Sequence, residues 1–102
     1  MKHLSLASAP KVPANIDGHK MHSSAELEVI HLCLNSGQVV PQHSNSFDVI
    51  VCLIKGEVSL NQGSTDTILG LYDVAEIEKG LERGFTNTGN TEARLLIIKK
   101  LV

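Results

Sequence analysis

The chain has 102 residues, which is enough for one domain with a buried core and too few for two. Hydrophobic residues make up 42% and aromatic residues only 3%, so the composition is that of a globular domain with a mainly aliphatic core, not of a disordered chain. A formal net charge of -2 provides no general positive field for a phosphate backbone, which argues against nucleic-acid binding.

Residues 1–24 are predicted to form an extended N-terminal arm. They are rich in Pro, Ser, Ala, Lys and His without sustained periodicity, and Pro10 and Pro13 would interrupt a helix. From residue 25 onward, short apolar segments are separated by turn residues, a pattern typical of an all-β sandwich or barrel. The predicted barrel domain therefore covers residues 25–102, with strands at 26–34, 39–43, 48–55, 57–61, 65–69, 73–77 and 94–102.

Residues 49–54 are apolar at every position, and residues 94–98 behave similarly. Such a strand is expected to be covered on both faces, one by the domain interior and the other by a second sheet or a subunit. Val12 and Ile16 of the arm are also available to pair along the sheet edge of a neighbour. We therefore expect a homodimer.

The sequence also predicts a cytoplasmic protein with no membrane partner. Residues 1–10 lack the continuous apolar stretch of a secretory signal, and no run approaches the roughly 20 apolar residues that span a bilayer. Cys33 and Cys52 lie in separate apolar runs, so they are expected to be buried, reduced thiols and not a disulfide.

Two groups of landmarks carry a resemblance to a known family. The first group is Gly37, His43, Asn45, Val49 and Gly56, and the second is Tyr72, Glu78, Gly80, Arg83 and Asn87. By the spacing of these positions the sequence resembles the cupin superfamily, and half of them carry the residue of the family's two motifs. The resemblance extends over approximately residues 26–100 and implies a single-domain, cupin-like jelly-roll barrel.

The resemblance also implies a degenerate metal site. A cupin metal is usually held by two His and the Glu of the first motif and by the His of the second. Of the four corresponding positions, only His43 keeps its ligand. Asn45 is a weak neutral ligand, Val49 cannot ligate, and Arg83 brings a permanent positive charge. We therefore expect neither a bound metal nor another cofactor.

Other imidazoles and thiols offer a fallback set of metal ligands. His31 and Cys33 share one face of their predicted strand, and they would join His43 only if that face is the interior. Packing is the expected role of both side chains. His19 and His22 are closely spaced in the arm, where we expect them to be solvated because two imidazoles alone lack the geometry of a site.

Strand alternation predicts the composition of the pocket. If His43 and Asn45 point inward, Val49 and Val51 share their face and form an aliphatic floor. Arg83 lies in a predicted loop, where it is either solvated or directed inward as a cation in an apolar cup. The inward position is costly unless an acidic group or a bound anion compensates the charge. The predicted ligand-binding residues are thus His43, Asn45, Arg83, Val49 and Val51.

The leading functional hypothesis is a metal-free, cupin-type domain that binds a small molecule, with anions as a candidate class and the ligand itself unknown. The alternative is a cupin enzyme. It would be a metal-dependent oxygenase or isomerase with rearranged ligands, or a metal-free isomerase that uses His43 as its base. A third hypothesis is an interaction module with a vestigial pocket. The fold alone does not decide between them, and the sequence assigns no catalytic residue.

Overall fold

A computed structural model describes residues 1–13 and 15–102. These residues form nine strands, and they contain no helix that is long and apolar enough to cross a membrane. The strands are β1 (Asp17–Ser23), β2 (Leu27–Leu34), β3 (Val39–His43), β4 (Asp48–Lys55), β5 (Val58–Gln62), β6 (Thr65–Leu69), β7 (Val74–Ile77), β8 (Arg83–Thr86) and β9 (Ala93–Lys100).

The strands make two antiparallel sheets. The five-stranded sheet has the order β1-β2-β9-β4-β7, and the four-stranded sheet has the order β3-β8-β5-β6. Non-consecutive strands are neighbours in both sheets, so the chain crosses repeatedly between them. The prediction of an all-β, double-sheet jelly roll is confirmed.

The predicted strand bounds agree with β3, β4 and β6 and differ by one or two residues for β2, β5, β7 and β9. The strand pattern did not indicate β1 or β8. The placement of Arg83 in a loop was wrong, because this residue begins β8. Within the segment interpreted as an arm, β1 forms the edge of the five-stranded sheet and pairs with β2.

The core lies between the two sheets and is mainly aliphatic. Alternation along β4 places Val49, Val51 and Leu53 in it with almost no exposed surface, and Phe85 of β8 packs against them from the other sheet. The intervening residues of β4 point to the outer face of the five-stranded sheet and are half-buried. The described chain therefore covers one face of β4 completely and the other in part.

One close backbone contact and one buried side chain fix the positions of β8 and of the segment that follows it. A Cβ atom at Gly84 would collide with the carbonyl oxygen of Val40 on β3, so only glycine permits the close approach of β3 and β8. Asn87, which is fully buried, donates from Nδ2 to the carbonyls of Leu34 (2.9 Å) and Thr91 (2.8 Å). Its Oδ1 accepts a hydrogen bond from the Gly89 amide at 3.0 Å.

Candidate ligand pocket

Arg83 faces the interior of the domain. It is the first residue of β8, its Cα is paired with that of His43 on β3, and only 3% of its surface is exposed. The β3–β8 register shifts between Val40 and His43, so the strand is irregular just before the pairing. Arg83 is among the very few charged residues that the described chain buries this completely.

Protein acceptors satisfy only part of this guanidinium. Nη1 donates to the His43 carbonyl at 3.0 Å. Nη2 donates to Oδ1 of Asn45 at 2.7 Å, in the amide orientation that also lets Asn45 donate to the Ser44 carbonyl at 3.3 Å. The buried Nε has no acceptor among the described residues. An arginine has five N–H donors, so most of the hydrogen-bonding capacity of Arg83 remains unused.

No carboxylate of the described residues forms an ion pair with Arg83. Burial lowers the pKa of its guanidinium from the ordinary value, because the charged form loses hydration. An arginine nevertheless stays protonated at neutral pH. The domain therefore holds a buried positive charge that no ion pair of the described residues neutralises.

Arg83 lines a cavity of about 340 Å³ between the two sheets. This volume is near the lower end of the roughly 300–1,000 Å³ that small-molecule pockets occupy. We call it the central cavity. Its lining residues are Val12, Pro13, Ile16, Lys20, Glu28, Ile30, Leu32, Val40, His43, Asn45, Arg83, Phe85, Ile97 and Lys99.

The other charged residues of the central cavity compensate one another in part. Glu28 lies between Lys20 and Lys99, at 3.7 Å from each ammonium nitrogen. The Lys99 ammonium also lies 5.7 Å from the centre of the Phe47 ring, within cation–π range. The lining thus carries three cations and one carboxylate, and its potential is positive although the chain as a whole has a net charge of -2.

His43 lies at the exposed rim of the central cavity. Its Nδ1 is 3.1 Å from the Pro41 carbonyl, and a carbonyl oxygen only accepts hydrogen bonds, so Nδ1 is the protonated nitrogen of the neutral ring. Nε2 is then the acceptor. The backbone of β3 thereby orients an imidazole that can accept a proton or a hydrogen bond.

The remaining predicted site residues lie elsewhere. Val49 and Val51 face inward as alternation predicts, but they belong to the packed core and do not line the central cavity. His31 and Cys33 point to the outer face of the five-stranded sheet, because the alternating Ile30 and Leu32 line the cavity. The structure therefore does not bring His31 and Cys33 together with His43.

On the outer face, His31 accepts a hydrogen bond at 3.5 Å from Arg94, and Cys33 donates one at 3.4 Å to Glu92. Burial, followed by the nearby charge of Arg94, lowers the pKa of His31. Burial and the hydrogen bond to Glu92 raise the pKa of the Cys33 thiol. Both side chains are thus packed and uncharged at neutral pH, as buried histidines and thiols usually are.

The arm histidines point to different surroundings. Nδ1 of His19 lies 3.5 Å from a carboxylate oxygen of Asp17, whereas His22 lines a second cavity of about 540 Å³ beside the N-terminal residues. That cavity is larger than the central one, but its polar groups are half-buried or exposed lysines, histidines and a serine. Because it contains no buried, uncompensated group, we place the candidate site in the central cavity.

The donors of the central cavity do not suit a divalent metal. The residues that the structure describes contain no group of three or more His, Cys, Asp or Glu side chains placed to hold an ion. Within the cavity, the oxygen of Asn45 is engaged by Arg83, and the guanidinium itself repels a cation.

No family model and no curated protein matches the sequence. Solved structures, in contrast, share the fold over almost the whole chain. A conserved protein with a double-stranded β-helix domain from Klebsiella pneumoniae has a TM-score of 0.83 at 18% identity, with 98% of this chain and 90% of that chain covered. A polyketide cyclase from Streptomyces resistomycificus has a TM-score of 0.86 at 12% identity, with 100% and 80% covered.

A cupin superfamily protein from Desulfitobacterium hafniense has a TM-score of 0.78 at 12% identity and covers 95% of this chain, with 87% of its own length matched. These likenesses confirm the fold that the sequence resemblance implied. The chain has the double-stranded β-helix fold of the cupins.

The site residues that the sequence did not indicate are Lys20, Glu28 and Lys99. Glu28 shares its face of β2 with Ile30 and Leu32, and Lys99 shares its face of β9 with Ile97. Strand alternation could have placed both charges toward the interior. The sequence did not predict Glu28 and Lys99 as site residues because the cupin motifs contain no landmark on β2 or β9.

Proposed function

We propose that this chain is a metal-free binding domain of cupin fold that holds a small anion in its central cavity through Arg83. The observation that supports this most strongly is the burial of Arg83 without a counter-ion. A charged group is rarely buried unpaired, because the lost hydration costs several kcal/mol. An anionic ligand would supply the missing charge and accept from the unused N–H groups.

Asn45 and His43 have supporting roles in this proposal. The Asn45 amide and the His43 carbonyl hold the two terminal nitrogens of Arg83, which fixes the plane of the guanidinium. The His43 ring, with Nε2 as an acceptor, stands at the rim where a ligand enters. Arg83 is thus the residue that binds the charge, and Asn45 is a positioning residue.

A thermal-shift screen of small carboxylates and phosphates, followed by calorimetric titration of the hits, tests the proposal. Loss of one partner from a buried charge pair costs about 2 to 5 kcal/mol, so Arg83→Gln should weaken binding by about thirtyfold or more. Arg94→Gln is the matched control, because Arg94 lies on the outer face and pairs with Glu92. The proposal is wrong if no anion stabilises the protein, or if both variants bind every hit equally well.

The metal content of the purified protein separates this proposal from a metal enzyme. With one imidazole in place of a full ligand set, protein prepared without added metal should contain far less than one transition-metal ion per chain. Elemental analysis measures this directly. A nearly stoichiometric metal that disappears in His43→Ala would contradict the metal-free proposal and favour the enzyme.

A metal-free proton transfer is the second candidate function. It is favoured by the Nδ1 hydrogen bond to Pro41, which leaves Nε2 of His43 free to accept a proton at the cavity rim. A likeness in fold to a polyketide cyclase is compatible with an enzyme but does not indicate a reaction. For any acid found to bind, exchange of its α-hydrogen for solvent deuterium, followed by NMR and lost in His43→Gln, would support this function.

We also propose that the chain forms a homodimer through the outer face of its five-stranded sheet. Cross-strand neighbours on this face include Val29, Ile50, Cys52, Leu96 and Ile98. The face has five strands about 4.8 Å apart, and the eight residues of β9 rise about 3.3 Å each, so it measures about 600 Å². This approaches the roughly 800 Å² per partner of a standard interface, and a second copy offers an equally apolar surface.

Leu96→Glu, at the centre of that face, should convert the dimer to a monomer in sedimentation experiments at micromolar concentration. Ile68→Glu, an exposed position on β6 of the other sheet, is the matched control and should leave the dimer intact. A wild-type monomer would refute the dimer. Dissociation by neither variant would instead favour edge pairing through β1, the edge strand of the sheet.

The cysteines support a cytoplasmic location for the protein. Cys33 and Cys52 are free thiols. Free thiols of this kind persist in a reducing compartment, where disulfides are rare.

A further inference from the structure

The charges and walls of the central cavity together constrain the chemical class of its ligand. The cations that line the cavity differ in whether a carboxylate of the protein pairs with them. Lys20 and Lys99 share the carboxylate of Glu28, whereas Arg83 forms no ion pair with a carboxylate of the described residues. One negative charge on a ligand therefore compensates Arg83, whereas the excess positive charge of Lys20 and Lys99 remains partly hydrated. A second negative charge would have to compete with Glu28 for its lysines or lie against an apolar wall.

The walls beyond the charged residues are apolar. On the five-stranded sheet, Glu28 pairs with Lys99, and the next inward-facing pair is Ile30 with Ile97. On the four-stranded sheet, the next inward-facing residue after Arg83 is Phe85, which pairs with Val40. Residues two apart on a strand are about 7 Å apart, so both sheets change from charged to apolar lining within this distance.

The N-terminal segment adds apolar lining on a third side. Val12, Pro13 and Ile16 all contribute to the cavity. The segment is held against β1 because the Val12 amide donates to the Gly18 carbonyl at 2.9 Å and the Gly18 amide donates to the Ile16 carbonyl at 2.9 Å. An apolar ligand body between the sheets would thus contact side chains from both sheets and from this segment.

We infer that the ligand is an amphipathic monocarboxylate, with its carboxylate on Arg83 and an alkyl body that lies along the strands between Ile30, Ile97 and Phe85. This inference rests on the proposed anion-binding function and adds the class of ligand to it. Asn45 orients the guanidinium toward the head group. The buried aliphatic side chains contribute affinity in proportion to the apolar surface of the ligand.

Calorimetric titration of the full chain with acetate, butyrate, hexanoate and octanoate tests this inference. Each methylene that leaves water contributes about 0.8 kcal/mol, so the affinity should rise about fourfold per methylene until the cavity is filled. Succinate has the same number of carbons as butyrate but a second carboxylate. It should bind at least about tenfold more weakly, since that carboxylate meets Glu28 or an apolar wall.

Matched variants test the head and the body of the ligand separately. Arg83→Gln should weaken all alkanoates by a similar factor and leave the gain per methylene unchanged. Ile97→Val should reduce the gain per methylene, whereas Ile98→Val, on the outer face of the same strand, should not. The two valine variants each lose one methylene at neighbouring positions, so comparison between them controls for stability.

The outcomes separate a failure of the ligand class from a failure of anion binding. If acetate, succinate or inorganic phosphate binds through Arg83 but affinity is flat or falls with chain length, the amphipathic class is wrong and the anion-binding function stands. If no anion binds, or Arg83→Gln changes nothing, both are wrong. Should Arg83→Gln fail to fold, Asn45→Asp provides the same test, because it places a competing carboxylate beside the guanidinium.

Discussion

Asn45→Asp gives the domain its own counter-ion for Arg83. The Asn45 oxygen lies 2.7 Å from Nη2, so an isosteric carboxylate there completes an ion pair without moving the backbone. The bond between Arg83 and Asn45 already has a charged donor and belongs to the class worth about 1.5 to 3 kcal/mol, and a carboxylate acceptor adds the attraction of a second charge. The exchange replaces a neutral acceptor by a charged one and loses the long bond to Ser44. We expect a net stabilisation of about 1 kcal/mol.

For a domain of this size, 1 kcal/mol corresponds to about 4 to 8 °C in Tm, which differential scanning calorimetry resolves. The guanidinium should lower the pKa of the introduced carboxyl below its unfolded value. The gain is then present above the unfolded pKa of about 3.9 and is lost as the pH falls through the folded pKa. Anion affinity should fall by at least about tenfold in the same variant.

Asn90→Asp is the control for the Asn45→Asp experiment. Asn90 is exposed, so this substitution adds the same charge away from the cavity. It should change neither Tm nor anion binding appreciably. The reasoning is refuted if Asn45→Asp destabilises the protein by more than the control does, or if it leaves anion affinity intact. The first result would mean that the charge of Arg83 is already compensated in the native domain, and the second that anions do not bind at Arg83.

Three other substitutions test the surrounding structure. Asn87→Ala removes three hydrogen bonds of a fully buried side chain, including the one to the Leu34 carbonyl, so chemical denaturation should show a loss of about 2 to 5 kcal/mol. Tyr72→Gly should raise the free energy of unfolding by up to about 1 kcal/mol, because Tyr72 is exposed and its φ of 68° is unfavourable for a residue with a side chain. Leu71→Gly is the control and should lower the free energy of unfolding, because Leu71 does not have a positive φ. Burial and Arg94 lower the pKa of His31, so the stability of the domain should decline as the pH falls below about 6.5. Urea titrations at pH 5 and 7 should show a smaller pH dependence in His31→Gln than in the wild type.

The strands that sequence pattern predicted are those whose side chains alternate between the core and the surface. β4 is the clearest example, because Val49, Val51 and Leu53 form a continuous inward row. β1 was missed since it is an edge strand of mostly polar residues and contributes little to the core. β8 was not predicted for another reason. Its four residues include Gly84, whose role depends on close contact with β3, and contact between distant segments leaves no local periodicity.

The cupin resemblance placed His43, Asn45 and Arg83 together because their motifs fix the positions of side chains across strands, which composition does not. It also placed Tyr72 where the family has glycine, and the structure gives that residue the positive φ that glycine tolerates best. The resemblance could not decide whether Arg83 faces solvent. That depended on the pairing of β8 with β3, which turns the side chain inward opposite His43.

The energetics of the site follow from this pairing. Gly84 allows β8 to approach β3, and the approach carries Arg83 into the cavity, where it loses hydration and gains only two protein acceptors. The free domain is therefore less stable than the same fold with a neutral side chain or an internal counter-ion at this position. The same deficit favours any anion that fits, because binding restores the interactions that folding removed. If the anion-binding proposal holds, stability of the free protein and affinity for the ligand should change in opposite directions when the charge balance around Arg83 is altered.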